Sequence, residues 1–241
     1  MTKYQKVPEV GQQASLSEAQ RITRPDFIDL PMTGLEGPMT EEERALQESV
    51  HRFAEEVIRP VAAKLDRVSA EEMIAEGSEL WTVLAKSSEL GLSLVDMEEM
   101  EPLERARMLS IAIEELSWGC PGLAGAILVN FFPTMYSLLA GNMEMAKYCE
   151  GRLGCWAITE PEHGSDATHM TTSAIRQGSE WIINGEKTWN TGVHTADCDL
   201  ILARTSGAAG DARGITAFLV PMDSPGLKGE EYLWTFNMPS D

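Results

Sequence analysis

The sequence predicts an α+β fold class in which an all-α N-terminal domain precedes an antiparallel β-sandwich or barrel. Two patterns predict it: apolar residues recur at the helical period from residue 40 to about 150, and short apolar runs alternate with polar turns after about 152. The 241 residues, 43% of them hydrophobic, are enough to bury more than one core. We therefore expect an N-terminal arm at 1–38, a helical domain at 39–151 and a β-domain at 152–241.

The N-terminal arm is predicted from its prolines and from the lack of a sustained period in residues 1–38. The first helix is expected to follow Thr40, because Thr40-Glu41-Glu42-Glu43 has the form of a capping box with acidic residues in the first turn. Apolar residues then recur at close to the helical period, at Leu46, Val50, Phe53, Val57, Val61 and Leu65. This spacing is typical of an amphipathic helix.

Local signals place the helices that follow. Ser69 and Glu72 repeat the capping pattern before a short helix, and another helix is expected to stop near Gly91. Pro102 suits the first turn of the next helix, because its missing N–H would be unpaired there in any case. These signals predict that the whole first domain is helical.

The stretch from Leu116 to Met143 contains no charged residue. It is predicted to form one or two buried helices broken at Pro133, with Asn142 capping a last helix. A membrane span is disfavoured, because prolines and an asparagine interrupt the stretch.

The β-domain is predicted from short apolar runs separated by turn residues. A turn at Gln177-Gly178-Ser179 is expected to join two strands, and Asn184-Gly185 is a hairpin signal because both residues tolerate positive φ. The expected strands are Leu153–Thr159, Thr172–Arg176, Trp181–Ile183, Glu186–Trp189, Leu200–Arg204 and Ile215–Val220.

Composition excludes several classes of function. Acidic residues outnumber basic ones by 38 to 19, and the formal net charge of -19 argues against sequence-independent binding of nucleic acid or of an anionic membrane. The 4 cysteines stand far apart without a C-x-x-C pair, so neither a zinc site nor a disulfide framework is indicated. The N-terminus has no apolar signal core. A reducing, cytoplasmic location is therefore expected.

One stretch, Cys155 to Asp166, carries most of the chemical information. It begins as an apolar strand, breaks at Pro161 and ends in Gly164-Ser165-Asp166, whose backbone N–H groups and hydroxyl suit an anion such as a phosphate. His163, Asp166 and His169 also bunch together, but no fourth ligand lies nearby, so a metal site is not expected.

Three motifs, in this order, resemble the acyl-CoA dehydrogenase family. They are Ala157-Ile158-Thr159-Glu160-Pro161 followed by Gly164-Ser165-Asp166, then Ile183-Asn184-Gly185-Glu186-Lys187-Thr188-Trp189, and Gly214-Ile215-Thr216-Ala217-Phe218-Leu219-Val220. The chain is similar to the family's N-terminal helical domain and its flavin-binding middle domain. The family's C-terminal helical domain is expected to lie beyond residue 241.

The resemblance implies an FAD-dependent oxidoreductase of fatty acid metabolism. Such an enzyme desaturates an acyl-CoA thioester between its α and β carbons and passes electrons to an electron-transfer flavoprotein. It also implies a homo-oligomer, a dimer or tetramer, when the protein is complete.

Site residues follow from the resemblance by position. Thr159 would hydrogen-bond the pyrimidine side of the flavin, with Trp156 and Ile158 flanking it. Gly164 and Ser165 would meet the FAD pyrophosphate, where a missing side chain permits close approach and a hydroxyl supplies a donor. Ser165 is also expected at the pantetheine arm of the substrate.

A second segment carries the rest of the implied site. Trp189 would pack along the flavin ring, and Thr191 would place a hydroxyl near the nitrogen that receives the hydride. Asn190 departs from the apolar residue that is usual there. Without the resemblance, Trp156 and Trp189 would be read as ordinary core residues, because buried aromatic rings dominate protein cores.

The resemblance places the catalytic base beyond residue 241. In the family the base is a glutamate of the C-terminal helical domain, and Glu160 matches a structural Thr-Glu-Pro corner. Two alternatives stay open: a short non-catalytic subunit that associates with a full-length relative, and a flavin oxidase or monooxygenase of the same fold.

Overall fold

Helices fill the first half of the computed structural model, which describes residues 38–229 and 232–233. Apart from Pro38, the predicted arm lies outside these described residues. A π-helical segment, Ala54–Ile58, joins the first two helices, and two 3₁₀ segments occupy Ser88–Leu90 and Asp96–Glu99. The helices are α1 Glu41–Phe53, α2 Arg59–Leu65, α3 Ala70–Ile74, α4 Glu79–Ser87, α5 Pro102–Gly119, α6 Pro121–Leu128, α7 Phe131–Leu139 and α8 Met143–Cys149.

Both predicted capping boxes are confirmed. The Glu43 N–H donates to Thr40 Oγ1 at 3.1 Å, and the Thr40 N–H donates to Glu43 Oε2 at 2.8 Å. Ser69 and Glu72 exchange the same two bonds at 3.2 and 2.9 Å. Each box satisfies backbone donors that the first turn of a helix leaves unpaired.

The predicted break at Pro133 is wrong. The helices separate between Leu128 and Phe131, and Pro133 lies in the first turn of α7, where a missing N–H removes no helical bond. Asn130 ends α6 instead, because its side-chain amide donates to the carbonyls of Ala126 and Ile127 at 2.8 and 3.1 Å.

The apolar helices α6 and α7 follow each other directly in the chain. In residues 38–229, no single helix is long and apolar enough to cross a membrane. Together α6 and α7 are long and apolar enough for a span, but they are bent by 45° at the break between them.

The helical core forms where α1 and the π segment pack against α5, while α6 packs against α5 and α4, and α2 packs against α4. Its largest fully buried side chains include Val50, Ile58, Leu116 and Leu123. Gly119 permits this approach, because a Cβ there would lie 2.9 Å from Ile58 Cγ2. Burial of such side chains stabilises the fold by roughly 1.5 to 3 kcal/mol each.

Five strands form one sheet in the described part of the chain, and the central one is β4. The bounds are β1 Gly154–Ala157, β2 Ser173–Gln177, β3 Glu180–Asn184, β4 Cys198–Arg204 and β5 Ile215–Pro221. Strand β5 runs antiparallel along one edge of β4, while β1 pairs with the start of the other edge and β2 meets only its end, at Arg204.

The predicted class, helices followed by a β-domain, is confirmed, and the sheet is mixed rather than wholly antiparallel. The pairs β2–β3 and β4–β5 are antiparallel, whereas β4 runs parallel to β1 and β2. The long connection from 158 to 197 lets β4 return in the same direction as β1. The sheet also curls. The ring centroids of Trp181 on β3 and Phe218 on β5 are 5.4 Å apart, although β2 and β4 lie between these strands in the sheet.

The predicted hairpin at Asn184-Gly185 is wrong. Strand β3 ends at Asn184, and no strand forms from Glu186 to Trp189. The glycine is needed for a close approach instead: a Cβ at Gly185 would lie 2.3 Å from Thr172 Oγ1 and 2.6 Å from its Cα. The turn predicted at Gly178-Ser179 is confirmed and joins β2 to β3.

Helix α7 packs directly on β1 and thereby links the two halves. The Gly154 N–H donates to Asn130 Oδ1 at 2.8 Å, and a Cβ on Gly154 would lie 2.6 Å from Pro133 Cγ. Trp156 stacks on Phe132 with ring centroids 4.3 Å apart and planes inclined by 13°. This contact fixes the orientation of the strand that leads into the candidate site.

Candidate functional site at the end of strand β1

The two predicted site segments lie side by side. Residues 158–160 leave the end of β1, and residues 187–189 run along them. The Thr188 N–H donates to the carbonyl oxygen of Thr159 at 2.9 Å, and Lys187 Nζ donates to that of Ile158 at 3.0 Å. Residues separated widely in the sequence are therefore brought together as one surface.

Glu160 anchors this arrangement. One carboxylate oxygen accepts from the N–H and hydroxyl of Thr171, both at 2.7 Å, and the other accepts from the Thr172 N–H and Lys187 Nζ, both at 2.9 Å. Burial alone would raise the pKa of Glu160, but the hydrogen bonds from Thr172 and Thr171 outweigh it and hold this pKa well below its ordinary value. A carboxylate held in this way is a structural tether and a poor general base.

Lys187 is the cationic partner of that tether. Its side chain is only 7% exposed, and burial lowers its pKa while the neighbouring Glu160 opposes the change. The pair thus fixes the distance between the two site segments from inside the protein.

Trp189 has an unusual backbone. Among the described residues it is the one non-glycine residue with positive φ, at 60°, and its side chain is 60% exposed. The left-handed region costs a non-glycine residue roughly 1 to 2 kcal/mol. A strained backbone that holds a large ring in solvent is a feature of ligand sites.

A groove with a volume of about 1220 Å³ runs beside this segment. Trp189 and Thr191 line it, together with Asp199 of β4 and Phe218 of β5. Of the seven predicted cofactor residues these two line the groove; the other five, Trp156, Ile158, Thr159, Gly164 and Ser165, lie outside its lining. The predicted site therefore spans two adjoining surfaces.

Asp199 is a groove residue that sequence reasoning missed. The residue is only 2% exposed, and its Oδ1 has no hydrogen-bond partner. Burial raises the pKa of its carboxyl, with Cys155 and Lys187 opposing the rise. The available signal was a lone charge inside the apolar run from Cys198 to Ala203.

The turn after Glu160 presents Gly164 and Ser165 to solvent. Glu160 and His163 close it with reciprocal backbone bonds of 3.0 and 3.1 Å. Gly164 has neither a positive φ nor a close neighbour, since the nearest atom to an added Cβ is Thr159 Cγ2 at 4.0 Å. The fold itself does not require a glycine here, which fits close approach by a bound group. The pyrophosphate and pantetheine roles stay predictions.

Of the two histidines near this turn, His169 pairs with an aspartate, and the two rings do not converge on one point. His169 Nδ1 lies 2.6 Å from Asp166 Oδ2, and the His163 ring is 6.1 Å from the His169 ring. Within 38–229 and 232–233, no group of three or more histidine, cysteine, aspartate or glutamate side chains is arranged to hold a metal ion.

One of the residues predicted to bind the cofactor has a buried polar atom without a hydrogen-bond partner. Trp156 Nε1 is buried and has no hydrogen-bond partner. A buried indole N–H normally finds one, so an acceptor is expected from outside the described residues. A donor, an exposed aromatic ring and an open glycine-serine turn together fit a planar ring system with carbonyl oxygens and a phosphate tail, which is the chemistry of FAD.

Family models match almost all of the described chain. The model "Acyl-CoA dehydrogenase, N-terminal domain" matches residues 40–149, and "Acyl-CoA dehydrogenase, middle domain" matches residues 155–238.

Individual relatives agree with these models. The chain is 33% identical over 200 residues to the mitochondrial short-chain specific acyl-CoA dehydrogenase of Rattus norvegicus, covering 78% of this chain and 46% of the relative. It is 33% identical over 196 residues to the benzylmalonyl-CoA dehydrogenase of Aromatoleum aromaticum, covering 78% and 49%. A glutaryl-CoA dehydrogenase from Mycobacterium smegmatis, solved in complex with FADH2, superimposes with a TM-score of 0.63 at 25% identity, covering 83% and 50%. The chain thus spans about half the length of these relatives.

Proposed function

The chain belongs to the acyl-CoA dehydrogenase family, and on that premise we propose that it forms the flavin-holding part of an FAD-dependent oxidoreductase acting on an acyl-CoA thioester. The observation that carries the proposal is Trp189, an exposed ring on a left-handed backbone beside Thr159. The relative solved with FADH2 supports the choice of cofactor.

In this proposal the residues of the site bind FAD and the thioester substrate and orient them. Trp189 and Ile158 hold the ring system, and Thr159 and Thr191 donate hydrogen bonds to it. Gly164 and Ser165 receive the pyrophosphate, and Ser165 also contacts the pantetheine arm. When bound, FAD supplies the hydride acceptor for α,β-desaturation. The Glu160–Lys187 tether keeps both segments at the spacing that the ring requires.

We further propose that the proton is removed by a carboxylate outside the described residues. Glu160 is excluded because both of its oxygens are already engaged in four hydrogen bonds. An electron-transfer flavoprotein as electron acceptor, a homotetramer and a cytoplasmic location belong to the same proposal and rest on the family resemblance and the composition.

The binding part is tested by titrating the purified chain with FAD and following quenching of flavin fluorescence. Saturable binding is expected, and it should be weakened by Trp189→Ala but not by Leu103→Ala, which removes an equally exposed apolar side chain of α5. If the chain binds no FAD, the proposal fails for these residues.

The reaction is tested on the whole flavoprotein. Anaerobic mixing with a panel of acyl-CoA thioesters is expected to bleach the flavin absorbance. If no thioester bleaches it and turnover needs oxygen, the dehydrogenase assignment is wrong and the oxidase or monooxygenase alternative replaces it.

A further inference from the structure

We infer that the indole N–H of Trp156 donates a hydrogen bond to a carbonyl oxygen of the ligand bound at the end of β1. This inference rests on the proposed function, because it assumes a ligand at this site. It adds a polar role to a residue that the family resemblance assigns only to flanking the ring.

The first argument is the unsatisfied donor. Trp156 Nε1 is buried without a partner, whereas the indole N–H of Trp81 donates to the carbonyls of Ile74 and Ala75 at 3.2 and 3.1 Å. The indole N–H of Trp81 is therefore hydrogen-bonded within the protein, whereas that of Trp156 is not. An unpaired buried donor opposes folding, which is tolerated where a bound ligand completes the bond.

The second argument is that the donor is held still. The Trp156 ring stacks on Phe132 at 4.3 Å, and Tyr136 lies against it at 6.3 Å with the planes inclined by 46°. The Trp156 ring also packs on the apolar cluster formed by buried Met170, Leu200 and Leu202. With the ring clamped between α7 and the sheet, the N–H direction is fixed before any ligand arrives, so little entropy is lost on binding.

The third argument concerns the class of acceptor. Trp156 is three residues from Thr159 and lies where the helices meet the sheet, so the acceptor belongs to a group held at that junction. Two ligands of the proposed function carry neutral carbonyl oxygens: the flavin ring and the acyl thioester. Both offer the same hydrogen-bond chemistry to an indole N–H.

The experiment observes the N–H directly. The protein is labelled with ¹⁵N at the tryptophan indoles, and proton–nitrogen spectra are recorded alone, with FAD, and with FAD plus butanoyl-CoA. Trp156→Phe assigns the Trp156 signal and keeps an aromatic ring against Phe132. Trp81 is the internal control, because its N–H is already bonded.

A downfield shift of the Trp156 N–H signal on adding FAD, with the Trp81 signal unmoved, assigns the acceptor to the flavin. A shift that appears only when the thioester is added assigns it to the substrate. In the matching binding assay, Trp156→Phe is expected to weaken the corresponding ligand about fivefold, the effect of one neutral hydrogen bond.

The inference is overturned if FAD and thioester both bind while the Trp156 signal stays in place and Trp156→Phe binds as tightly as the wild type. That result would leave the proposed function intact. Failure of the wild-type protein to bind either ligand would instead remove the proposed function, and the inference with it.

Discussion

The helical half and the sheet half differ in how they treat buried polar groups. In the helical half, buried Glu43 pairs with Arg107 through two hydrogen bonds, and buried Glu115 pairs with His51 at 2.6 Å. In the described residues, the buried side-chain atoms without a partner all lie between residues 156 and 204: Trp156 Nε1, Asn190 Oδ1, Asp199 Oδ1 and Arg204 Nε. Among the described residues, the buried polar side chains of the helical half are thus paired within the protein, whereas the sheet half leaves four buried polar atoms open to a partner.

The largest expected effect tests the completeness of the helical half. Arg107→Met should lower the free energy of unfolding by about 3 to 5 kcal/mol, because it leaves Glu43 buried without its cation. Arg107 also holds the pKa of Glu43 below its ordinary value, so this stabilisation should be present above about pH 4.3 and be lost as pH falls further. Urea unfolding measures both effects.

The control for that variant is Lys64→Met, which removes an ion pair with Glu79 whose side chains are 63% and 42% exposed. Its cost should stay below about 1 kcal/mol. Saturating FAD should leave the difference between the two variants unchanged. Equal costs for the two variants would contradict the buried pairing of Glu43.

In the sheet half, a substitution is expected to raise the free energy of unfolding, by less than Arg107→Met lowers it. Asp199→Asn should raise the free energy of unfolding by about 1 to 2 kcal/mol at pH 7, because it removes a buried carboxylate whose Oδ1 has no partner. The pKa of Asp199 in the folded protein lies above its ordinary value of about 3.9. The cost of burying the carboxylate should therefore grow as pH rises from about 3.9 through the folded pKa. Below about pH 3.9 the two proteins should be equally stable.

Urea unfolding between pH 3 and 8 follows this difference. A variant that is less stable than the wild type at pH 7 would show that the carboxylate stabilises the sheet, and the contrast between the halves would lose one of its supports.

The smallest expected effect concerns Trp189. Trp189→Gly should stabilise the free protein by about 1 kcal/mol or less, since glycine adopts positive φ without strain and the lost ring is largely exposed. The same change should weaken FAD binding at least tenfold by the proposed function. Thermal unfolding and flavin titration measure the two quantities.

Trp181→Gly is the matched control. It removes a tryptophan that is 43% exposed but sits within β3 and packs against Phe218. Because glycine weakens a strand interior, this variant should be destabilised. If Trp189→Gly behaved in the same way, Trp189 would be a packing residue and not a strained ligand contact.

Local patterns in the sequence predict local structure well. The capping boxes at Thr40 and Ser69, the turn at Gly178 and the strands β4 and β5 follow from residues that contact their own neighbours. The side-by-side placement of Thr159 and Thr188 agrees with the motif-based site, although the roles of the residues stay predictions.

The misplaced helix break at Pro133 is a local failure, since Asn130 ends α6 through the carbonyls of Ala126 and Ile127. The other failures of prediction involve contacts between distant residues. Asn184-Gly185 has the composition of a hairpin, but Thr172 decides the role of the glycine. Parallel pairing of β1 with β4 depends on a long connection, and Asp199 becomes unusual only when the sheet buries it. None of these contacts leaves a periodic signal in the sequence.

Native-state hydrogen exchange with and without FAD tests the contrast between the halves most directly. FAD is predicted to slow exchange at residues 156–165 and 187–195 and to leave α1 and α5 unchanged, because only the sheet half has groups for the ligand to satisfy. Equal protection of both halves, or protection confined to the helices, would contradict the account.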